Sequence, residues 1–201
     1  MTRVGMLGDP PEEVVLRPIT AGDEPFLRDV YASTRAKELE SVPWTDRERR
    51  AFCDSQFDLQ DTHYRREFPS ASFDVVEWGS RPAGRLLVAF GATECEILDI
   101  AITPKARGRG LGTLLLRWVQ TNAAAADVSL ALTVEPGNPA RRLYDRLGFQ
   151  VRIGGALHVE MVWRACAIRS ERADRFGDMA RADAGLETLR TRRVVPTSDR
   201  R

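Results

Sequence analysis

The chain has 201 residues, 43% of them hydrophobic, and its 30 basic and 29 acidic side chains leave a formal net charge of +1. This length suffices for one domain with a substantial core, and the balanced charge argues against a nucleic-acid partner. No apolar run approaches the roughly 20 residues of a membrane span, and the first residues lack the pattern of a secretory signal. We therefore expect a cytoplasmic protein with no membrane partner, as a monomer or a homodimer.

Cysteine and histidine usage bears on metal and disulfide chemistry. Cys53, Cys95 and Cys166 are an odd number without C-x-x-C spacing, which argues against a disulfide framework and against a zinc site. The histidines are His63 and His158, so a Ser-His-Asp triad also has little raw material. Metal-free chemistry is the expectation.

Composition divides the chain into three regions. Residues 1–13 contain two glycines and two prolines and are predicted to be a flexible lead-in. Residues 14–167 carry the strand and helix patterns of one folded domain. Residues 168–201 hold nine arginines and six acids with few large apolar residues, which predicts a charged tail, disordered or with a short helix. A partner-docking or dimer segment is the alternative for this tail.

The first half of the domain is predicted to be a strand and two helices, followed by a three-strand meander. Thr20 or Asp23 is the candidate cap of the first helix, whose apolar positions Phe26, Leu27, Val30 and Tyr31 lie on one face. The other predicted bounds are a strand at 14–18, the second helix at 45–68, strands at 73–78, 85–91 and 93–103, and a hairpin turn region at 79–84.

A glycine-rich segment, Arg107–Gly112, lies between a predicted strand and a predicted helix. Ile97–Ile102 is rich in β-branched residues, and apolar residues recur at helical spacing from Leu111 onward. The first amides of a helix lack internal partners, and the helix dipole adds partial positive charge at the same end. The glycines allow close approach to the backbone and the arginines supply charge, so the segment predicts a phosphate site.

Two familiar phosphate loops fit this segment poorly. A P-loop needs a Gly-Lys-Ser/Thr ending, and residues 110–113 contain no lysine. A dinucleotide fingerprint needs G-x-G-x-x-G, whereas the spacing here is G-x-G-x-G, and no acidic residue follows at the end of a second strand. An ordinary strand-to-helix turn stays open for the hexapeptide taken alone.

A second block of informative residues, Asn138–Phe149, follows the predicted strand 129–134. Asn138-Pro139 is predicted to be the N-cap and first residue of a helix that runs to about Leu147. Gly148 stands where a left-handed residue ends a helix, and the last strand, 149–163, is predicted to break near Gly154-Gly155.

The two blocks together resemble the GNAT N-acetyltransferase superfamily. Arg107, Gly110 and Gly112 fit its R/Q-x-x-G-x-G/A loop, and residues 138–149 fit its second signature, N-x-x-x-x-L-Y-x-x-x-G-F. Residues 31–44 and 56–65 resemble a bacterial subgroup. The resemblance implies an α+β fold with a mixed, mostly antiparallel sheet, splayed at its fourth and fifth strands and flanked by helices, with residues 14–167 as the N-acetyltransferase domain.

The resemblance also implies a donor and its binding residues. Acetyl-CoA is the expected cosubstrate, bound through its pyrophosphate at the loop and through its pantetheine arm along the strand before it, with no metal. The residues that carry this expectation are Ile100, Ala101, Ile102, Arg107, Gly108, Arg109, Gly110, Leu111, Gly112, Thr113, Asn138 and Tyr144.

The mechanism implied by the resemblance is direct attack of an amine on the thioester in a ternary complex. The backbone amide of Ile100 is the expected oxyanion donor. Tyr144 is the candidate general acid for the departing thiolate, and Glu96 is the candidate base, because period-two alternation places it on one strand face with Ile100. Asp99 ranks below Glu96, and a water chain instead of one fixed base stays open.

The acceptor is the part of the reaction about which the sequence says least. Tyr31, Arg35 and Glu38 recur at helical spacing and are predicted to form one polar face, opposite Gln56, His63 and Tyr64. Arg35 would suit a carboxylate and Glu38 an ammonium, which favours amino acids or small peptides. Surface ion pairs with packing aromatics are the alternative interpretation of these positions.

We expect an enzyme that moves an acetyl group to a primary amine of a small molecule or peptide. A non-catalytic acyl-CoA-binding sensor or partner-docking module is the alternative from another class of protein. The presence of Tyr144 together with a carboxylate on the feeding strand favours the enzyme, because a silent module needs neither.

Overall fold

The computed structural model describes residues 2–4 and 14–165, and the predicted tail at 168–201 lies outside the described residues. The chain divides into two compact units, which are described separately. Of the described residues, unit 1 contains 2–4, 14–89 and 98–112, and unit 2 contains 90–97 and 113–165.

Unit 1 is built on β-strands that follow the chain order. Strand β1 pairs antiparallel with β2, β2 with β3, and β3 with β4, and β5 is the next strand beside β4. Their bounds are β1 Thr2–Val4, β2 Val14–Pro18, β3 Ser72–Trp78, β4 Arg81–Phe90 and β5 Glu94–Ile102, and of β5 only residues 98–102 belong to unit 1. Strand β1 lies within the predicted lead-in, and its three residues pair with β2.

Two helices pack together in unit 1. Helix α1 spans Glu24–Leu39 after a 3-10 turn at Ala21–Asp23, and helix α2 spans Asp46–Glu67. Thr45 caps α2 in a capping box with Glu48, in agreement with the predicted start of this helix. The cluster that the two helices bury with β3 consists of Leu27, Tyr31, Leu39, Cys53, Phe57 and Val75.

The turn between β3 and β4 is tighter than predicted. The sequence predicts a turn region over 79–84, but the connection is Gly79-Ser80, whose φ angles of 56° and 62° lie in the left-handed region. Pro82 enters β4 opposite Glu77, where the pairing register shifts next to Val76. A proline is tolerated at such an irregularity because one ladder bond is already missing there.

Unit 2 combines one parallel strand pair with two antiparallel pairs. Strand β6, Ser129–Val134, pairs in parallel with β5 from Glu94–Ser129 through Ile97–Leu132. Strand β8, Val159–Trp163, pairs antiparallel with both β6 and β7, and β7 spans Gln150–Gly154. The expected mixed, mostly antiparallel sheet is therefore confirmed.

Two helices follow the strands of this half of the chain. Helix α3 spans Leu111–Ala125 and buries leucine, valine and alanine side chains, and its Gln120 donates to the carbonyl of Leu147 over 2.8 Å. Helix α4 spans Arg141–Arg146, so it is shorter than the predicted helix from Pro139 to Leu147. Within the described parts of the chain, every helix is too short or too polar to cross a membrane.

Candidate functional site

The loop before α3 contains two glycines in left-handed conformations. A 3-10 turn at Pro104–Ala106 leads into it, and Gly108 and Gly110 adopt φ angles of +74° and +86°. A Cβ atom added to either glycine would meet no atom within 4 Å. These two positions therefore need glycine for their conformation, and the space beside them is open to a ligand.

The start of α3 supplies donors next to this loop. Leu111 is buried at the first position, followed by Gly112 and Thr113, and the first turn of the helix carries no acidic residue. The first amides of a helix have no acceptor inside it, and the dipole adds positive charge at this end. The arrangement is suited to an anion such as a pyrophosphate.

The two arginines of the loop are held by different neighbours. Arg107 donates from Nε to the carbonyl of Ile102 over 2.8 Å and from its second terminal nitrogen to Ser33, 3.0 Å from the hydroxyl. The guanidinium carbon of Arg109 lies 3.9 Å from the ring centroid of Trp78. Arg107 thus ties the loop to α1 and β5, and Arg109 is the loop arginine that stacks on an aromatic ring.

Near the end of β5, one edge of the strand faces β4 and the other faces away from it. Thr103 donates its amide to the carbonyl of Ala83 over 2.8 Å, and the Ala101 carbonyl lies 2.3 Å from where a Cβ of Gly84 would be. Both groups face β4. Because backbone groups alternate along a strand, those of Ile100 face the edge away from β4.

In unit 2, Tyr144 lies on the short helix α4. Its side chain is 7% exposed, and its ring meets Phe149 edge-to-face with centroids 5.8 Å apart. Gly148 ends the helix with a φ of +83°, as predicted, and the Phe149 amide donates to the Tyr144 carbonyl over 3.1 Å. The turn after the helix therefore fixes both aromatic residues.

Asn138 lies in the connection before α4 and is exposed. The sequence predicts that it caps a helix starting at Pro139, but the helix begins at Arg141. The side-chain oxygen of Asn138 accepts from the amide of Ala140 over 2.9 Å, and its carbonyl accepts from Arg141 over 3.1 Å. Asn138 therefore caps a turn ahead of the helix rather than the helix itself.

Glu96, the predicted base, is a half-buried residue of β5 in unit 2. Burial raises the pKa of its carboxyl group, and the charges of Glu94 and Glu160 raise it further, while Arg152 lowers it. Arg152 binds both oxygens of Glu94, at 2.6 and 2.8 Å, and also donates to Glu160. A carboxyl with a raised pKa is a stronger base than an ordinary glutamate, which suits proton abstraction near neutral pH.

The six predicted acceptor residues lie on α1 and α2 of unit 1. Tyr31 is buried against Phe57, and burial raises the pKa of its phenol. Arg35 and Glu38 form an ion pair of 3.0 Å on α1. On α2, Gln56 is half-buried, His63 is exposed in an open groove that Asp58 and Arg66 also line, and the Tyr64 hydroxyl donates to the Leu98 carbonyl over 2.9 Å.

A buried charged cluster in unit 1 is absent from the predicted site. Arg85 in β4 is 4% exposed and donates to Asp99 of β5 and, over 2.7 Å, to Gln60 of α2. The available signal was an arginine directly before the apolar run Leu86–Val88 in a predicted strand. A charge inside such a strand needs a partner, but the sequence does not say which.

No cluster of three or more histidine, cysteine, aspartate or glutamate side chains that could hold a metal ion occurs in residues 2–4 and 14–165. Cys53 and Cys95 are free and buried, and Cys166 lies outside the described residues.

Comparison with solved structures finds many similar folds. The PaiA N-acetyltransferase of Thermoplasma acidophilum, in complex with coenzyme A, matches 76% of this chain and 99% of its own, with 16% identity and a TM-score of 0.58. An acetyltransferase from Thermus thermophilus matches 76% and 97%, with 25% identity and a TM-score of 0.55. The ribosomal-protein-S18-alanine N-acetyltransferase of Escherichia coli matches 75% and 93%, with 17% identity and a TM-score of 0.50.

Comparison of the sequence itself gives the family. No curated protein matches the chain. The model of the acetyltransferase (GNAT) family matches residues 31–149, which is more than half of the chain and includes both the glycine loop and the Tyr144 helix. We conclude that the chain belongs to the acetyltransferase (GNAT) family and is an acyltransferase.

Proposed function

We propose that the protein transfers an acetyl group from acetyl-CoA to a primary amine of a small molecule or peptide. The observation that carries the donor is the loop at the N-terminus of α3, where Gly108 and Gly110 take left-handed conformations beside open space. Structural relatives named as N-acetyltransferases support the choice of an amine acceptor.

The residues present suit a coenzyme A molecule. The amides from Gly108 to Thr113 and the Arg109 guanidinium would hold the pyrophosphate, because they combine unpaired helix donors with a planar cation. The edge of β5 that carries Ile100 and Ile102 would pair with the amide groups of the pantetheine arm, and Asn138 would hold the same arm. Ala101, whose groups face β4, would contribute packing rather than hydrogen bonds.

The proposed reaction is one displacement at the thioester carbon. The amine nitrogen forms a bond to the acetyl carbonyl carbon, and the carbon–sulfur bond breaks. Glu96 accepts the proton that the amine loses, directly or through one water, and Tyr144 donates its phenolic proton to the departing sulfur. The Ile100 amide donates a hydrogen bond to the carbonyl oxygen as negative charge develops on it, a contribution of about 3 to 4 kcal/mol in comparable sites.

The proposed acceptors are amino acids or small peptides. Arg35 and Glu38 place a cation and an anion 3.0 Å apart on α1, with more than half of the Glu38 side chain exposed. The carboxylate of such an acceptor would bind Arg35, and its ammonium would bind Glu38, in place of the ion pair between these two residues. Thermal-shift screening of amino acids, polyamines and aminoglycosides with coenzyme A present tests the class, and stabilisation by polycations alone would contradict it.

The decisive experiment measures free thiol released from acetyl-CoA across a library of amines. Wild type is compared with Tyr144→Phe, which keeps the ring that packs on Phe149 but removes the proton donor. Amine-dependent thiol release by wild type, strongly reduced in the variant, would support the proposal. Tight acetyl-CoA binding by calorimetry with no thiol release for any amine would favour a non-catalytic acyl-CoA-binding module.

A further inference from the structure

Unit 1 contains a buried cation that the proposed reaction does not use. The Arg85 side chain is 5% exposed, and its guanidinium donates to Asp99 and, over 2.7 Å, to the side-chain oxygen of Gln60. Its carbon lies 5.8 Å from the ring centroid of Tyr31 and 5.7 Å from that of Phe57. An arginine is almost never this buried unless it is paired.

Stability alone is a weak reason for this arrangement. Removing two charges from water costs several kcal/mol, and packed apolar residues of similar volume are often as stable or more stable. Val75, directly opposite Arg85 on β3, is apolar and fully buried. Apolar packing is therefore already present beside the arginine. The ion pair therefore calls for an explanation in terms of what it holds in place.

What Arg85 holds is the end of β5. Asp99 directly precedes Ile100, the proposed oxyanion donor, and the Leu98 carbonyl accepts from the Tyr64 hydroxyl over 2.9 Å. Arg85 and Tyr64 thus bind consecutive residues of β5 from the side where α1 and α2 pack. Both contacts fall on the two residues immediately before the amide that would meet the thioester.

The other side of the same peptide run is fixed by β4. The Ala101 carbonyl lies so close to Gly84 that a Cβ there would be 2.3 Å away, and the Thr103 amide donates to Ala83 over 2.8 Å. Side-chain anchors before Ile100 and backbone anchors after it leave its peptide little freedom to rotate.

We propose that Arg85, Asp99 and Tyr64 are positioning residues, which hold the Asp99–Ile100 peptide so that the Ile100 amide meets the thioester oxygen in a fixed direction. This inference rests on the proposed function. In the proposed reaction, none of the three side chains contacts the reacting atoms. An oxyanion donor must be aimed before the charge develops, and a displacement of about 1 Å can cost about 100-fold in rate.

The test compares variants that loosen this hold with a matched ion-pair control. Asp99→Asn removes the charge, Arg85→Lys keeps the charge but loses the planar donor set, and Tyr64→Phe removes the hydroxyl. The control is Asp23→Asn, which breaks the Arg17–Asp23 ion pair of unit 1, 2.7 Å long, whose carboxylate is 10% exposed. Asp23 accepts hydrogen bonds from Arg17 and Thr20, neither of which is in β5.

Turnover is the first readout. We expect kcat for thiol release to fall about 10- to 100-fold in Asp99→Asn and Arg85→Lys, and less in Tyr64→Phe, with KM for acetyl-CoA changed less than threefold. Asp23→Asn should lower the melting temperature but keep kcat. Equal kcat in wild type and Asp99→Asn at a lowered melting temperature would overturn the inference, because the pair would then be structural only.

Two further readouts separate this inference from the proposed function. The carbonyl stretch of bound acetyl-CoA, labelled with carbon-13 at the carbonyl, should shift to lower frequency in wild type and shift less in Asp99→Asn. If wild type binds no acetyl-CoA, the proposed function fails, and amide hydrogen exchange of the ligand-free protein still tests the positioning. Exchange at the Thr103 amide, which donates to Ala83 just beyond Ile100, should be faster in Asp99→Asn and Arg85→Lys than in Asp23→Asn, and equal exchange would contradict the positioning role.

Discussion

The guanidinium carbon of Arg109 lies 3.9 Å from the centroid of the Trp78 ring, which joins the glycine loop to the end of β3. Stacking on a ring restricts an arginine side chain, and the N–H donors of a guanidinium lie at its edge rather than on its stacked face. Trp78 is therefore expected to contribute to coenzyme binding without contacting the coenzyme.

Replacing Trp78 with leucine should weaken acetyl-CoA binding about two- to fivefold, the equivalent of one exposed cation–π contact. Isothermal titration calorimetry measures the dissociation constant. Trp44→Leu is the matched control, because Trp44 packs on Phe52 of α2 and is 37% exposed. Unchanged affinity in Trp78→Leu would mean that the stacking does not prepare Arg109 for the phosphate.

Replacing Gly110 with aspartate should abolish acetyl-CoA binding, because a carboxylate would face the pyrophosphate in the open space beside the loop. The backbone strain of a side chain at a φ of +86° is a separate effect. Gly110→Ala carries the strain without the charge and should bind more weakly than wild type but measurably. Calorimetry of the two variants separates the effect of the charge from that of the strain. Equal affinities in the two variants would mean that the loop does not bind the pyrophosphate.

Replacing Tyr144 with phenylalanine should lower kcat about 100-fold or more, which is the usual worth of a positioned general acid. KM for acetyl-CoA and the melting temperature should change little, because the ring still packs on Phe149. Steady-state kinetics with the accepted amine measure both constants. Unchanged kcat would assign the proton to another donor.

The pH dependence of the rate should report Glu96. Its raised pKa means that the carboxylate forms at a higher pH than in an ordinary glutamate, so the rate rises with pH through that raised value. Glu160→Gln removes a negative neighbour and should move the acid limb of the kcat/KM profile to lower pH. A profile that does not move would favour a water chain as the base.

The raised pKa of Glu96 also means that its ionised form lowers the free energy of unfolding, since the folded protein prefers the protonated carboxyl group. Stability contributed by protonation is gained as pH falls and lost as pH rises. Glu96→Gln should therefore unfold at an equal or higher urea concentration than wild type at pH 8, while its turnover falls. A less stable variant would contradict the assigned direction of the shift.

Asp23 is expected to have the opposite effect on how stability depends on pH. Hydrogen bonds from Arg17 hold the pKa of Asp23 well below its usual range, so the folded state prefers the carboxylate. Asp23→Asn should cost about 1 to 3 kcal/mol of unfolding free energy at pH 7. This difference should shrink below about pH 4, where the unfolded state takes up the proton first. Urea unfolding at pH 7 and pH 3 measures it.

The sequence predicts some of the local backbone structure. The left-handed Gly148 and the helix that begins at Leu111 follow from backbone preferences that act over a few residues, whereas for Gly108 and Gly110 the sequence predicts close approach to the backbone and not the positive φ angles. The predicted start of α4 is two residues early, because Asn138 satisfies the amide of Ala140 in a turn. Asn side chains can cap turns and helices alike, and the sequence does not distinguish them.

Helical spacing alone leaves two interpretations of the acceptor side open. It puts Tyr31 both on the apolar face of α1 and one turn from Arg35. In the structure Tyr31 is buried against Phe57 of α2 and Arg35 pairs with Glu38, as in the alternative of packing aromatics with surface ion pairs. Which side of a helix is covered depends on the elements that pack on it. The Arg85–Asp99 pair likewise joins two strands, and spacing along one strand does not reveal such a partner.

Strand β5 also limits how this chain can change length during evolution. Its first residues, through Ile97, pair with β6, and its last residues carry Asp99 and Ile100. Inserting or deleting one residue between Glu96 and Ile100 reverses the strand face of every residue on one side of the change. The connection between β7 and β8, residues 155–158, is exposed and carries none of the proposed roles. Homologous chains should therefore vary in length at that connection and keep the spacing from Glu96 to Gly112 constant.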